Sequence, residues 1–276
     1  MQPWIETIGI FILADLGIAL GLVATTLKKG RWLLFYLPPL ILIILIALTR
    51  HFYWLGFYPP FSWVSEGRRE YVIFAFTIPM IFSTLIPRLS KLRQKVVLTV
   101  FVTIASVVFF VIPFISPILI RDELESIETS FSANGVCMQT TNYTCGPAAA
   151  ATGLYRLGIK AEEGKLAIHA YTTPQTGTSD DLLQKAIEKL YGSEGVVCIY
   201  RHFDSIAELK GNCPAIVVTK FTFLIDHYVT VLKVTDNEVI IGDPSSGLAE
   251  LSYEEFENIW RSVGIILKKQ EMANNP

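Results

Sequence analysis

The chain has 276 residues, only 17% of them charged, a formal net charge of -2 and a mean hydropathy of +0.45. Such an apolar composition excludes an ordinary water-soluble protein of this length, and a near-neutral chain without a basic tract gives no reason to expect nucleic-acid binding. The apolar residues are concentrated in the first 120 positions. We therefore predict a membrane region followed by one soluble domain.

A helix needs about 20 apolar residues to cross the hydrocarbon core of a bilayer. Four stretches meet this requirement, at about residues 4–26, 32–49, 71–87 and 96–120. The first stretch has no Lys or Arg before Lys28, so it lacks the positive start of a signal peptide and we expect it to be retained. The sequence predicts four transmembrane helices, a juxtamembrane connector at 121–135 and a soluble domain at 136–276.

The placement of Lys and Arg predicts how the helices are oriented, because short basic loops stay in the cytoplasm. The first and third loops are basic, with Lys28, Lys29, Arg31, Arg88, Lys91, Arg93 and Lys95. The second loop is rich in aromatic residues between Phe52 and Trp63, as expected for the outer interface. We therefore expect the soluble domain on the outer face of a multi-pass protein in the plasma membrane of a bacterium.

Asp15 is a carboxylate within the first predicted helix. An acid at membrane depth without a basic partner is costly and usually faces protein or water. We expect Asp15 to face the interior of the helix bundle.

The soluble part begins with helical patterns and continues with alternating ones. We predict helices at about 145–157, 161–171 and 178–190, with Thr178, Ser179 and Asp180 as candidate caps for the third. Strands follow at 196–202, 215–219, 227–234, 238–242 and 263–267, with short helices near 206–209 and 253–260. Helices followed by an antiparallel sheet indicate an α+β fold.

Cys145 lies at the start of the first of these helices, six residues after Gln139. The free amides and the dipole of a helix N-terminus favour a thiolate, which is the reactive form of cysteine. An amide side chain a short loop away can donate a hydrogen bond to a developing oxyanion. The pattern is typical of a thiol enzyme that presents its nucleophile on a helix.

A thiol nucleophile needs a base and a group that orients the base. His227 opens a predicted strand and Asp243 ends the next one, so both lie at one end of a hairpin. The remaining histidines, His51, His169 and His202, have no suitable acid placed by local sequence. We predict that His227 and Asp243 pair, in preference to Asp226, which would point to the opposite face of the strand.

Side chains alternate along a strand, so the turn near residues 236–237 decides whether His227 and Asp243 share a face. An odd-length loop brings them together, whereas a strict two-residue turn does so only with a bulge. The sequence leaves this register open.

Each of these residues taken alone fits a structural role: a buried small apolar cysteine, a histidine at a strand edge, or an Asp-Pro turn. Their order and their placement on suitable elements favour catalysis. Cys137, Cys198 and Cys213 lack the paired spacing of a zinc or redox site, so we expect core packing or one disulfide, and no metal or cofactor.

The sequence resembles the bacteriocin-processing cysteine peptidases, the thirty-ninth cysteine peptidase family, over about residues 136–268. That family is best known as the N-terminal domains of ABC exporters, which remove leader peptides after a double glycine. The resemblance implies a papain-like fold with Cys145 as nucleophile, His227 as base, Asp243 orienting His227 and Gln139 in the oxyanion hole. The matching motifs are Gln139-x5-Cys145-Gly146-x-Ala148-Ala149, His227-Tyr228-Val229, Asp243-Pro244-x-x-Gly247, Thr178-Ser179 with Leu182, and Tyr253, Phe256 and Trp260.

The chain departs from that family in having Thr144 where an acid is usual, in lacking a phosphate-binding loop, and in placing the peptidase after the membrane helices. We predict a membrane-anchored cysteine peptidase that acts on a peptide or protein. The sequence leaves open an exporter or other membrane partner. The alternatives are an inactive peptide-binding module of the same fold and a papain-like amide transferase.

Overall fold

The computed structural model describes residues 3–27, 30–65, 68–222 and 225–270. The chain forms two compact units, Met1–Leu119 and Ile120–Pro276. Lys28 and Lys29, which belong to the first predicted basic loop, lie outside the described residues.

The first unit is helical. Its π-helical segment Val107–Val111 joins the last two helices into one long span. Its α-helices are α1 (Pro3–Ala24), α2 (Leu37–His51), α3 (Ser62–Ser65), α4 (Arg69–Ser83), α5 (Leu92–Ser106) and α6 (Ile112–Leu119).

Within the described residues, four helical spans are long and apolar enough to cross a bilayer, namely Trp4–Ala24, Leu33–His51, Arg69–Arg88 and Leu92–Leu119. Each overlaps one of the predicted stretches, and together they support the prediction of a membrane protein. The fourth span begins earlier than predicted, at Leu92, because the helix incorporates the polar residues that precede its apolar run.

The helix α1 packs closely on α4 through two glycines. A methyl group at Gly17 would lie 2.3 Å from the carbonyl oxygen of Phe76, and one at Gly21 would lie 2.4 Å from that of Met80. Asp15 lies on a different side of α1 and is exposed. The prediction that Asp15 faces the bundle interior is therefore wrong, because the glycine stripe, and not the acid, determines which side of α1 packs inward.

The second unit combines helices with a six-stranded sheet and a two-stranded one. Its helices are α7 (Arg121–Glu125), α8 (Cys145–Arg156), α9 (Glu163–His169), α10 (Asp180–Tyr191), α11 (Ile206–Lys210) and α12 (Tyr253–Ile259). Its strands are β1 (Ser130–Phe131), β2 (Cys137–Met138), β3 (Val196–His202), β4 (Ala215–Thr222), β5 (Ile225–Val234), β6 (Glu238–Asp243), β7 (Gly247–Ser252) and β8 (Trp260–Lys269).

The larger sheet is antiparallel in the order β3-β8-β4-β5-β6-β7. The α+β fold predicted after an apolar helical region is confirmed. The edge strand β7 was missed because it is short and its inward-facing side chains, Ala249 and Leu251, are few and only partly buried. The last strand is longer than predicted and begins at Trp260, directly after α12.

The hairpin of β5 and β6 combines a two-residue turn with a bulge. Thr230 pairs with Gly242 and Val231 with Ile241, but the pairing then shifts by one, so that Lys233 faces Ile240. Leu232 is the extra residue. A two-residue turn alone would place residues 227 and 243 on opposite faces of the hairpin. The extra residue of the bulge brings them onto the same face.

The helix α8 is joined to the sheet by buried hydrogen bonds. The Thr230 hydroxyl on β5 donates to the carbonyl of Ala149 at 2.7 Å, and the amide of Cys137 on β2 donates to the Thr152 hydroxyl at 2.8 Å. An apolar cluster that includes Phe203, Val231 and Phe256 packs the sheet with α11 and α12. These contacts fix the start of α8 relative to the ends of β5 and β6.

Candidate active site

Cys145 is the first residue of α8 and is largely buried, with 9% of its surface exposed. The following residue, Gly146, packs closely on its neighbours, since a methyl group there would lie 3.1 Å from Cβ of Thr178. The tight packing fixes the backbone on which the thiol is carried. The cysteine therefore lies where the free amides of the first helical turn are directed.

His227 on β5 and Asp243 at the end of β6 form a hydrogen bond of 2.8 Å between Nε2 and Oδ1. The same carboxylate oxygen accepts hydrogen bonds from the Ser245 amide at 2.7 Å and the Ser245 hydroxyl at 2.8 Å. Burial raises the pKa of Asp243, but the hydrogen bonds from His227 and Ser245 outweigh burial and hold the pKa well below its usual range. Asp243 is thus an ionised acceptor for the imidazole.

The side chain of Cys145 also interacts with the imidazole of His227 and helps to raise its pKa. Because Nε2 is bound to Asp243, Nδ1 is the nitrogen available to the sulfur. Burial lowers the pKa of His227, but the hydrogen bonds and charges of Asp243 and Cys145 outweigh it and raise the pKa to about 9. The ring of Phe221, itself mostly exposed, lies 5.5 Å from the imidazole between ring centroids.

The loop that carries Gln139 is held at the same end of the hairpin. The backbone amide of Gln139 donates to the carbonyl of Pro244 at 2.9 Å, next to Asp243. The side-chain Nε2 donates to the carbonyl of Thr141 at 2.9 Å. An amide nitrogen has two N–H groups, so one donor remains on Gln139 after this bond is made.

Two side chains that the sequence argument did not assign to the site brace this loop. The hydroxyl of buried Thr144 accepts a hydrogen bond from the amide of Thr141 and donates one to the carbonyl of Thr141. These bonds fix the carbonyl that orients Gln139. Glu163, fully buried at the start of α9, accepts from the amide of Thr140 at 2.9 Å and from its hydroxyl at 2.8 Å. Glu163 stands among other charged residues in the sequence, so no signal there singled it out.

A second acid, the partly buried Asp180, supports the strand beside His227. The Tyr228 hydroxyl donates to Asp180 at 2.6 Å and the Tyr200 hydroxyl donates to it at 3.2 Å. Burial raises the pKa of Asp180 to about 6, although these two hydrogen bonds oppose the shift. Asp180 was predicted as a helix cap; the structure gives Ser179 as the residue preceding α10, without a side-chain cap bond.

The other histidines lie on different elements. His51 ends α2, and His169 ends α9 with Nδ1 3.0 Å from the carbonyl of Lys165. Asp204 approaches Nδ1 of His202 to 3.6 Å. Asp204 is 89% exposed, so its charge is screened by water and holds the ring weakly.

All four cysteines are free thiols in the structure, so the disulfide alternative is not realised. Over the described ranges, no group of three or more His, Cys, Asp and Glu side chains is arranged to hold a metal ion. Burial raises the pKa of Cys137 and of Cys198 to about 12, and that of Cys213 to about 11.

The model of the peptidase C39 family matches residues 134–272, half of the chain. The chain belongs to the peptidase C39 family. The match contains Gln139, Cys145, His227 and Asp243, and it spans β2 to β8. The catalytic roles of these residues stay a prediction, because similarity of sequence does not measure activity.

Individual relatives are similar to this C39 domain. An uncharacterized protein of Methanothermobacter marburgensis is 30% identical over 136 residues, which is 49% of this chain and 89% of the relative. The peptidase domain of Streptococcus ComA, a bifunctional ABC transporter involved in quorum sensing, is 26% identical, with a TM-score of 0.43 over 48% of this chain and 96% of its own. A double glycine motif protease from an AMS/PCAT transporter, solved with its leader peptide, is 19% identical, with a TM-score of 0.42 over 52% of this chain and 93% of its own.

We predict that the imidazole of His227 titrates near pH 9 in the full-length protein and at a lower pH in Cys145→Ala. The alanine removes the influence of the Cys145 side chain that raises the pKa of His227, so burial then lowers this pKa with less opposition. Asp243→Asn should lower the midpoint in the same way. The measurement is an NMR titration of histidine-labelled protein in micelles, with His227→Gln to assign the signal and His169 as an internal reference. A midpoint that is unchanged in both variants would contradict the paired geometry.

Proposed function

We propose that this chain is a membrane-anchored cysteine peptidase that uses Cys145, His227, Asp243 and Gln139. The hydrogen bond between His227 and Asp243 is the observation that supports the proposal most strongly, and the influence of Cys145 on the pKa of the same imidazole agrees with it. Membership of the C39 family agrees with it. A buried imidazole held between a thiol and a carboxylate is the arrangement that activates a sulfur nucleophile.

In the first step, the Cys145 thiolate attacks the carbonyl carbon of the scissile peptide bond, and the carbonyl oxygen takes the negative charge. The imidazolium of His227 then gives its proton to the leaving amine as the C–N bond breaks. Asp243 keeps the imidazole in place and stabilises its positive charge, as a carboxylate does in catalytic triads. In the second step, His227 takes a proton from water, which hydrolyses the acyl-enzyme and frees the thiol.

The oxyanion is stabilised by two donors in this proposal. One is the backbone amide of Cys145 at the start of α8. The other is the second N–H of Gln139, whose amide group is oriented by the bond to the Thr141 carbonyl. The backbone that carries Gln139 is held by the hydrogen bond of its amide to the carbonyl of Pro244, and α8 is held by the hydrogen bond from Thr230 to the carbonyl of Ala149. Little reorganisation is therefore needed when the charge develops.

We further propose that the chain spans the membrane several times, with the C39 domain on the outer face. The basic residues Arg88, Lys91, Arg93 and Lys95, at the junction of the third and fourth spans, support a cytoplasmic position for that junction. The segment after the fourth span then emerges on the opposite side.

We predict that Cys145→Ala abolishes peptide hydrolysis and that Gln139→Ala slows it by on the order of 10²-fold to 10³-fold, through loss of one oxyanion donor. Cys213→Ala is the matched control and should keep full activity. The thiol of Cys213 donates a hydrogen bond to the carbonyl of Leu209 and is not part of the proposed site. The assay uses full-length protein in micelles and a panel of quenched fluorescent peptides. Peptides with Gly-Gly before the cleaved bond come first, because one solved relative is a double glycine motif protease.

Hydrolysis that persists in Cys145→Ala would contradict the mechanism. Binding of a peptide without turnover, and without alkylation of Cys145 by iodoacetamide at neutral pH, would favour the inactive peptide-binding module. Transfer of the acyl group to an added amine in preference to water would favour an amide transferase.

We predict that a membrane-impermeant maleimide labels Asp204→Cys in intact cells and labels Lys91→Cys only after permeabilisation. Asp204 is 89% exposed in the C39 domain, and Lys91 is exposed in the basic loop, so both new thiols are accessible. Mass spectrometry of the labelled peptides distinguishes them from the native cysteines. Labelling of Asp204→Cys only after permeabilisation would place the domain in the cytoplasm and overturn the orientation.

A further inference from the structure

The helix α1 has a packed side and an open side. The packed side carries Thr7, Ile10, Ala14, Gly17 and Gly21, which are buried or, for the two glycines, in close contact with α4. We call the opposite side the outer face of α1; its exposed residues recur at helical spacing and are Ile8, Ile12, Asp15, Ala19 and Leu22. An exposed apolar helix face is expected of a helix that contacts lipid.

Asp15 interrupts this face at its centre. The described part of the chain forms neither a hydrogen bond nor an ion pair with Asp15. At the middle of the span Trp4–Ala24, an exposed carboxylate would lie near the centre of the bilayer. An acid in contact with lipid is costly there, and such residues usually face protein, water or a partner charge.

The other acids described in this unit have cationic partners. Glu70 forms an ion pair with Arg50, and Glu6 lies 3.9 Å from Arg68. Both acids lie at or near helix ends, whereas Asp15 lies nine residues beyond Glu6 along α1. Among the described carboxylates of this unit, Glu6 and Glu70 near helix ends are thus paired, and Asp15 in the middle of a helix is exposed.

We propose that the outer face of α1 docks a transmembrane helix of another membrane protein, and that this helix carries a Lys or Arg at the depth of Asp15. The opposite charge would satisfy the carboxylate, and the small side chain of Ala19 one turn away would allow close approach. A second copy of this chain is a poorer occupant, because a two-fold contact through this face would set Asp15 against Asp15. The inference rests on α1 spanning the bilayer and is independent of catalysis by the C39 domain.

The test uses the full-length protein and a synthetic leucine-alanine transmembrane helix in lipid vesicles, with association measured by energy transfer between attached dyes. Probe helices differ only at the central residue, which is Lys, Leu or Asp. Wild-type protein should bind the Lys probe on the order of tenfold tighter than the Leu probe, and Asp15→Leu should remove the difference. In the reversed pair, Asp15→Lys should prefer the Asp probe.

Leu16→Ala is the matched control, because Leu16 is an exposed neighbour on the same helix and its change leaves the charge intact. That variant should keep the preference for the Lys probe. Equal binding of the Lys and Leu probes by wild-type protein would overturn the proposal. Self-association of the protein that is lost in Asp15→Leu would also overturn it, by identifying a second copy as the occupant.

Discussion

The candidate active site depends on the hydrogen bond between His227 and Asp243. This bond fixes the imidazole at the end of a hairpin, leaves its other nitrogen for Cys145, and places a negative charge next to the ring. The pKa of His227 rises to about 9 despite burial, so the imidazole is protonated at neutral pH. The proposed mechanism depends on this protonated imidazole beside the sulfur nucleophile.

The hairpin also gathers the other parts of the site. Thr230 on β5 binds the first turns of α8 through the Ala149 carbonyl, and Pro244 after β6 accepts the backbone amide of Gln139. The helix that carries Cys145 and the loop that carries Gln139 are therefore attached to the two strands that carry His227 and Asp243. Buried Thr144 braces the same loop through its hydrogen bonds to the backbone of Thr141.

The elements of the fold could be predicted because their signals are local: Cys145 starts a helix, and β3 follows an alternating pattern. The pairing of His227 with Asp243 could be proposed but its register could not be derived, since the residues around Leu232 carry no signal of the bulge that the hairpin contains. The same holds for Glu163, whose role depends on a loop more than twenty residues earlier. Asp15 was misplaced because close packing of Gly17 and Gly21 on α4 is a tertiary property.

The account is tested most directly by the rate of alkylation of each cysteine by iodoacetamide at pH 7, measured in the full-length protein by peptide mass spectrometry. We expect rapid alkylation of Cys145 and slow alkylation of Cys137, Cys198 and Cys213, because burial raises the pKa of these three thiols to about 12, 12 and 11. In His227→Gln, the alkylation of Cys145 should slow markedly. Alkylation of Cys145 no faster than that of Cys213, or a rate unchanged by His227→Gln, would contradict the thiolate–imidazolium pair.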